Sequence, residues 1–374
     1  MSKIIVLHFS PLELYPPVQN FLRFFVGKLQ GHNIIVLTTG TTVSVLKQFE
    51  SASDHVSIKR LGQSGQKLNL FKRYLSYFFF NIGSLVYLLL QRPKNIMYYE
   101  TISSYPVYLY KRFFNSKAKV FIHYHEYTSP QEYNSGMKLT RFFYGREKWL
   151  YSHANWVSHT NEYRLQQFLL DVKPFKVAFP QVLPNYPPES WNKFHEYKID
   201  IPVRAVYVGA LSMDTMYVKE FTEWVIEQNG KVLWDIYSFN ITDDAKKYFQ
   251  SQRSEWIRLK SGVNYDELPN ILKNYEVGIV LYKGHIPNYI YNAPNKLFEY
   301  LACDLDVWFP GLMKGSLAYI TNKSYPKVLA IDFTKLNQLN LSELIERTSY
   351  IYKPGSFFCE NILGPFAEKL MAND

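Results

Sequence analysis

The sequence predicts an α/β protein of two domains, each a parallel β-sheet with helices on both faces, facing each other across a cleft. Three observations carry that prediction. Apolar, β-rich runs alternate with longer helix-like segments, as parallel strands joined by crossover helices require. The alternation breaks once, at "LPNYPPES" (183–190), where three prolines in eight positions mark a linker, and then restarts. A chain of 374 residues also exceeds what one ordinary core organises. The predicted division is 1–185, 186–355 and a C-terminal tail, 356–374.

The first half opens on the strand "KIIVLHF" (3–9), followed by a helix-like "VQNFLRFFVGKLQ" (18–30). A second strand, "GHNIIVLTT" (31–39), is entered through a glycine, and "HVSIKRL" (55–61) is a third. A helix over 68–91 precedes the strands "KNIMYYET" (94–101) and "AKVFIHYHEY" (118–127). "GMKLTRFFYGREKWLYSHA" (136–154) is helical and "NWVSHTN" (155–161) passes from strand to loop. Beyond the linker come the strand "VRAVYVGAL" (203–211), the helix "KEFTEWVIEQNG" (219–230) with a terminal glycine, and the strand "KVLWDIYS" (231–238). "WIRLKS" (256–261) is a strand, "YDELPNILKNY" (265–275) a short helix and "EVGIVLY" (276–282) a strand. A helix over 294–303 and the strand "DVWF" (306–309) follow, with Asp304 where a helix ends in a left-handed residue. Sheets of this kind bind ligands beyond the carboxyl ends of their strands.

The charge is uneven. Residues 1–150 hold 19 Lys and Arg against 7 Asp and Glu, a net +12, whereas 151–374 hold 23 against 25, a net −2. An anionic partner for the first domain follows: a membrane surface or a phosphorylated acceptor, and not nucleic acid, for which no recognition motif accompanies the charge. "YLSYFFFNIGSLVYLLL" (74–90) carries no charge and is flanked by Lys72-Arg73 and by Arg92 and Lys94. It reads as a packed helix of a large domain or as one whose exposed side touches a membrane, and is at the lower length limit for a span. Two cysteines, Cys303 and Cys359, make no disulfide framework and fit a reducing compartment. "MSKIIVLHFSP" reads as a first buried strand rather than a signal peptide. The expected location is the cytoplasm, peripheral at the inner face of the plasma membrane.

Several chemistries find no support. No Walker-type loop or G-x-G-x-x-G fingerprint occurs, "GQSGQ" (62–66) matching neither, and no nucleophile elbow supports a Ser-His-Asp triad. His123-x-His125 lacks a third ligand at a suitable spacing, so no metal is expected. Glu100, His159 and Glu147 are further ionisable residues without a clear pattern. One stretch poses a sharper question. In "YNAPNKLFEYLACDLDVWFP" (291–310), Lys296 falls where a helix begins and Glu299 is the only acid from 291 to 303. A cation there opposes the helix dipole unless an anion sits in front of it.

The order "VYVGAL", "YDELPNILKNYEVGIVLY", "APNKLFEYLACDLDVWF", together with "GHNIIVL" and the strand-end pair His125-Glu126, resembles glycosyltransferases of GT-B architecture, specifically glycosyltransferase family 4. The architecture matches over nearly the whole chain, and the specific signals lie within 205–310 and at His125-Glu126. The resemblance implies two Rossmann-like domains, an N-terminal one for a glycan or lipid-linked acceptor and a C-terminal one for a UDP- or GDP-sugar donor. It also implies a final helix, "FFCENILGPFAEKLM" (357–371), crossing back to the first domain. The activity implied is hexosyl transfer in cell-surface polysaccharide assembly, retaining, without metal or other cofactor. Lys296 would contact the donor diphosphate, Glu299 the ribose hydroxyls, and Asn292 and Asn295 the donor hydroxyls or phosphate. Gly209 would let the backbone approach the phosphates, and His125 and Glu126 would be the catalytic pair. The sequence departs from the family at three places: Tyr291 stands where a second glutamate is usual, Ala210 where an arginine is, and Met216 where a lysine is. A sugar-nucleotide epimerase and a non-catalytic nucleotide-sugar-binding or scaffold protein on the same fold are the alternatives.

Overall fold

Runs such as Ile4–Leu7 have no polar residue to turn toward water, and they form strands whose side chains are covered on both faces. The computed structural model of the protein describes residues 2–28, 32–43, 46–65, 68–192, 201–321, 323–347 and 349–372. Gly31, expected to lead into the second strand, lies outside the described residues. The chain divides into two compact units, Met1–Asn185 with Cys359–Asp374, and Tyr186–Phe358.

The first unit is a seven-stranded parallel sheet in the order β3-β2-β1-β4-β5-β6-β7. Its strands are β1 (Ser2–His8), β2 (His32–Thr41), β3 (Val56–Ser64), β4 (Asn95–Tyr99), β5 (Lys119–Tyr124), β6 (Trp156–His159) and β7 (Pro180–Val182). Its helices are α1 (Pro16–Val26), α2 (Leu70–Gln91), α3 (Ser104–Leu109), α4 (Pro130–Ser135), α5 (Lys138–Tyr151) and α6 (Glu162–Asp171). The second unit repeats the plan with a six-stranded parallel sheet, order β10-β9-β8-β11-β12-β14. It contains β8 (Val203–Val208), α7 (Val218–Glu227), β9 (Val232–Ser238), α8 (Asp243–Gln252), β10 (Ile257–Ser261), α9 (Leu268–Leu272) and β11 (Val277–Ile279). Then come α10 (Pro287–Ile290), α11 (Asn295–Ala302), β12 (Asp306–Pro310), β13 (Ser324–Tyr325), β14 (Val328–Ile331), α12 (Leu341–Ile345) and β15 (Ile351–Tyr352), with β13 and β15 paired apart from the main sheet. The fold is therefore α/β with two doubly wound parallel sheets, as the alternation predicts.

α13 (Cys359–Met371) packs within the first unit, although Pro365 lies inside it. Phe366 meets the rings of Phe21, Phe121 and Trp156, and Asn95 Nδ2 donates to the Leu370 carbonyl at 2.7 Å.

Three local features differ from, or sharpen, the sequence expectation. The strand expected over 118–127 ends at Tyr124, which leaves His125 and Glu126 beyond it rather than in it. The helix expected over 136–154 starts at Lys138, and the preceding α4 is a separate turn closed by a Ser129–Glu132 capping box. Asp304 has φ +58°, and the Asp304 and Leu305 N–H groups bond back to the Leu301 and Tyr300 carbonyls at 3.1 and 3.0 Å. That is the helix ending predicted for it.

The second unit's core lies on both faces of its sheet. Val203, Ala205 and Tyr207 of β8 face a cluster with Trp224, Trp234 and Trp308, whereas Val206 faces Leu297, Phe298 and Tyr300 of α11. The side chain of Tyr300 fits because β11 carries Gly278 beneath it: a Cβ there would meet the Tyr300 ring at 2.1 Å. The Tyr300 hydroxyl then accepts the Val208 N–H at 3.1 Å, tying α11 to the end of β8. Gly278→Ala should therefore lower the free energy of unfolding by about 1–3 kcal/mol through overpacking. A denaturant titration checks it, and an unchanged midpoint would contradict the packing described.

Candidate functional site

In both units the strand order reverses beside the first strand, between β1 and β4 and between β8 and β11, and the crevice outside such a reversal is where doubly wound sheets bind ligands. The sequence-derived candidates lie at or near these strand ends.

In the second unit, Gly209 follows β8 with φ +137°. A Cβ at Gly209 would meet Lys296 Cε and Nζ at 2.8 Å, so the glycine is what lets the lysine tip lie against the strand end. Lys296 is the second residue of α11, and its Nζ donates to the Tyr282 hydroxyl at 3.2 Å. It lies 5.4 and 5.3 Å from the ring centres of Tyr207 and Tyr282. Burial works against the ammonium, but the Tyr282 and Tyr207 oxygens and the Glu299 carboxylate outweigh it, and its pKa stands above the usual lysine value. The N-cap of α11 is Pro294, which offers no side-chain acceptor, and the first turn has no acid. The positive end of this helix carries a cation with its nearest described carboxylate, Glu299, one turn on, the arrangement that favours an anionic ligand.

Glu299 lies one turn on, 8% exposed, and accepts no hydrogen bond from the described residues. Burial pushes its pKa up to about 7, with Lys296 pulling it down. Asn295 opens α11, and Asn292 sits in the turn before it. That turn is pinned from below: Ser316 Oγ donates to the Asn292 carbonyl at 2.9 Å, and a Cβ on Gly315 would strike the Tyr291 carbonyl oxygen at 2.3 Å. The structure thus brings Gly209 and Lys296 into contact and fixes the Asn292–Asn295 turn in front of the helix. Tyr207, Tyr282, Gly315 and Ser316 complete the arrangement. None was singled out in the sequence, since aromatic and small residues there carry no distinguishing pattern. Met216 and Ala210 are accounted for by packing: Met216 is buried in the core, and the Tyr207 hydroxyl donates to the Ala210 carbonyl at 2.5 Å.

In the first unit the pair His125-Glu126 divides. Glu126 is exposed, whereas His125 is buried, stacked on Tyr99 at 4.9 Å and edge-on to His123 at 4.7 Å. His125 Nδ1 donates to Asn185 Oδ1 at 3.1 Å, which leaves Nε2 as the acceptor, covered and without a partner. Burial lowers the His125 pKa to about 4 against the Asn185 hydrogen bond, with Arg164 adding to the fall. At neutral pH the ring is therefore uncharged.

Glu100 is the residue that the sequence underrates. It follows β4 with φ +62°, and its Oε1 accepts the N–H groups of His125 and Glu126 at 2.7 and 3.3 Å. Burial and the Glu126 carboxylate push its pKa up to about 8 against those two donors. A non-glycine residue at positive φ is strained, and here the angle goes with the grip on the His125 and Glu126 N–H groups. A signal did exist, since β1, β4, β5 and β6 end in or just before His8, Glu100, His125 and His159. His8 and His159 are buried with neither ring nitrogen paired, and burial lowers both pKa values to about 3. Glu147 is different. It is fully buried in α5 beneath the hydroxyls of Tyr98 and Tyr124, at 2.9 and 2.6 Å, and serves the packing of the unit. No group of three His, Cys, Asp or Glu among the described residues is placed to hold a metal ion.

No family model matches this sequence, and no curated protein matches it. Solved structures do. A sucrose-phosphate synthase from Thermosynechococcus elongatus superposes with a TM-score of 0.67 over 99% of this chain and 94% of its own, at 13% identity. The Anabaena protein HepE, solved in complex with UDP and glucose, gives 0.62 over 99% and 95%, at 10% identity. The fold is GT-B. A UDP-GlcNAc 2-epimerase from Methanocaldococcus jannaschii gives 0.53 over 97% and 99%, at 12% identity, so epimerases are similar to this GT-B chain as well as glycosyltransferases.

Glu100 makes a pH prediction. A carboxyl whose pKa rises from 4.5 to about 8 on folding contributes stability that is fully present below pH 4.5 and is lost as pH climbs through 8. Glu100→Gln keeps the acceptor for the two N–H groups and removes that titration. The stability of the wild type should therefore fall relative to Glu100→Gln between pH 4.5 and 8 in thermal unfolding. A difference that does not vary with pH would contradict the assignment.

Proposed function

We propose that the protein is a glycosyltransferase moving a hexose from a UDP- or GDP-sugar to a glycan or lipid-linked acceptor in cell-surface polysaccharide assembly. The observation that carries the reading is the second unit's helix end: Lys296 laid on Gly209 before an uncapped α11, with the unpartnered Glu299 one turn away. A diphosphate supplies the anion that this end lacks, held by Lys296 Nζ and the first-turn N–H groups. Two ribose hydroxyls give the Glu299 carboxylate the donors it is missing, and their hydrogen bonds favour its ionised form.

In the reaction the bond between the anomeric carbon and the diphosphate oxygen breaks, and the acceptor oxygen bonds to that carbon. With retention, the leaving diphosphate takes the acceptor proton. Lys296 and the helix end stabilise its charge in the role that a metal ion fills elsewhere, so the enzyme needs no metal. Tyr291 stands where a second acid is usual, so that position supplies no carboxylate to the anomeric centre. We assign Glu126, the exposed member of the first-unit pair, a part in catalysis. His125, whose ring is buried, is a positioning residue beside Glu126, and Glu100 holds the backbone of both. The enzyme works in the cytoplasm at the inner face of the plasma membrane, a reading that the two buried cysteine thiols, not joined in a disulfide, support.

Epimerisation is the second reading, supported by the similarity to epimerases of the same fold. Incubating UDP- and GDP-sugars with and without glycan or lipid-linked acceptors separates the two. Transfer releases free nucleoside diphosphate in step with acceptor glycosylation. An epimerase leaves the nucleotide attached to an isomerised sugar, and that product would overturn the proposal. Glu126→Gln should lower kcat about 100-fold with little change in donor KM. Full activity in that variant would remove Glu126 from the mechanism.

A further inference from the structure

The helix α2 is apolar on two sides. Its inward face packs Tyr77, Phe80 and Leu88 against the unit beside the buried Ser76 and Ser84, with Ser76 Oγ donating to the Gln63 carbonyl and Gly83 under Leu61. Its outward face is large and apolar. Phe71, Phe78, Phe79, Ile82, Val86 and Leu90 recur at helical spacing and are 46–73% exposed. A surface helix of a soluble domain sends one apolar stripe to the core and turns a polar face to water, whereas α2 turns a second apolar stripe outward. At about 1.5 Å per residue the stripe from Phe71 to Leu90 runs roughly 29 Å. Beside α2 packs the π-helical turn Tyr110–Phe114, whose Phe113 and Phe114 are 63% and 60% exposed. An apolar surface of this extent marks a binding face.

The charge around it selects the occupant. From residue 55 to 99 there are seven Lys or Arg and no Asp or Glu. Lys72 and Arg73 lie in the first turn of α2, and Arg92 and Lys94 just past its end. Arg112, in the neighbouring turn, lies over the rings of Tyr108, Phe113 and Trp149. A second copy of this chain would bring a like-charged, acid-free surface against this one. A helix crossing the bilayer would have to give up the contacts of Ser76, Tyr77, Phe80, Ser84 and Leu88 with the rest of the unit. Apolar side chains between cations, on a helix with one face already packed, fit a bilayer surface with anionic headgroups: the Phe, Ile and Leu side chains enter the acyl boundary and the Lys and Arg meet phosphates.

We propose that the outward face of α2, extended by Phe113 and Phe114, docks the protein flat on an anionic lipid bilayer. The inference stands on this helix face and its charges, and it holds whichever reaction the enzyme performs.

Vesicle co-sedimentation of the full chain tests it, with phosphatidylcholine vesicles compared with the same vesicles holding about 30% phosphatidylglycerol. The wild type should sediment with the anionic vesicles, remain in solution with the neutral ones, and be released by about 0.5 M salt. The triple variant Phe78→Ser, Ile82→Ser, Val86→Ser alters only solvent-facing side chains and should keep the wild-type melting temperature while losing at least about tenfold in vesicle partitioning. Lys72→Glu with Lys94→Glu should weaken binding to anionic vesicles alone. A wild type that ignores anionic vesicles would overturn the proposal, as would a folded triple variant that binds undiminished. Analytical ultracentrifugation covers the rival: a wild-type dimer that the triple variant dissociates, without vesicle binding, assigns the face to a second copy instead.

Discussion

The Lys296 ammonium, lying against Gly209 at the positive end of α11, is the interaction on which the second unit's site depends. Each neighbour exists to permit it. Gly209 at φ +137° leaves the space, Tyr207 and Tyr282 supply ring faces and a hydroxyl, and Pro294 withholds a cap. Tyr300 fixes the helix to β8 and needs Gly278 beneath it, while Gly315 and Ser316 hold the turn in front. A cation at the positive end of a helix whose first turn has no acid is an unfavourable local arrangement for folding alone. Its persistence within a well-packed unit is the reason to read it as a ligand site.

The first unit solves a different electrostatic problem. Its strand ends bury imidazoles and a carboxyl with few partners, so burial drives His8, His125 and His159 toward the neutral form and Glu100 toward the protonated form. The result is a cluster of neutral buried groups around the Arg164 guanidinium, which donates to the His125 carbonyl, beside the exposed carboxylate of Glu126.

Much of the fold was legible because parallel strands leave a plain trace. Ile4–Leu7, Val203–Val208 and Val277–Ile279 are apolar on both faces, and no helix pattern competes with them. Asp304 was legible too, since few residues tolerate a left-handed helix ending. Other elements left a weaker trace. α3 contains Pro106 in an aromatic run, and α6 and α8 are polar helices whose burial is slight, so their periodicity is faint. Of the site, Lys296 stood out because it violates a local rule, and Glu299 because it is alone. Glu100 did not, for its importance lies in a backbone angle and in two N–H groups some 25 residues away in the chain. The orientation of α2 was equally hidden: its composition announces apolar surface all round, and only the packing of Ser76, Tyr77, Phe80, Ser84 and Leu88 shows which face turns inward.

The central claim is that the end of α11 is a diphosphate site, and calorimetric titration of UDP and GDP against uridine and guanosine tests it most directly. A charge-assisted contact of this kind contributes roughly 1.5–3 kcal/mol, so one diphosphate should bind at least about tenfold more tightly than its nucleoside. Lys296→Met should erase most of that difference and leave nucleoside binding as it was. Equal affinity for diphosphate and nucleoside, or a diphosphate preference that survives Lys296→Met, would contradict the account.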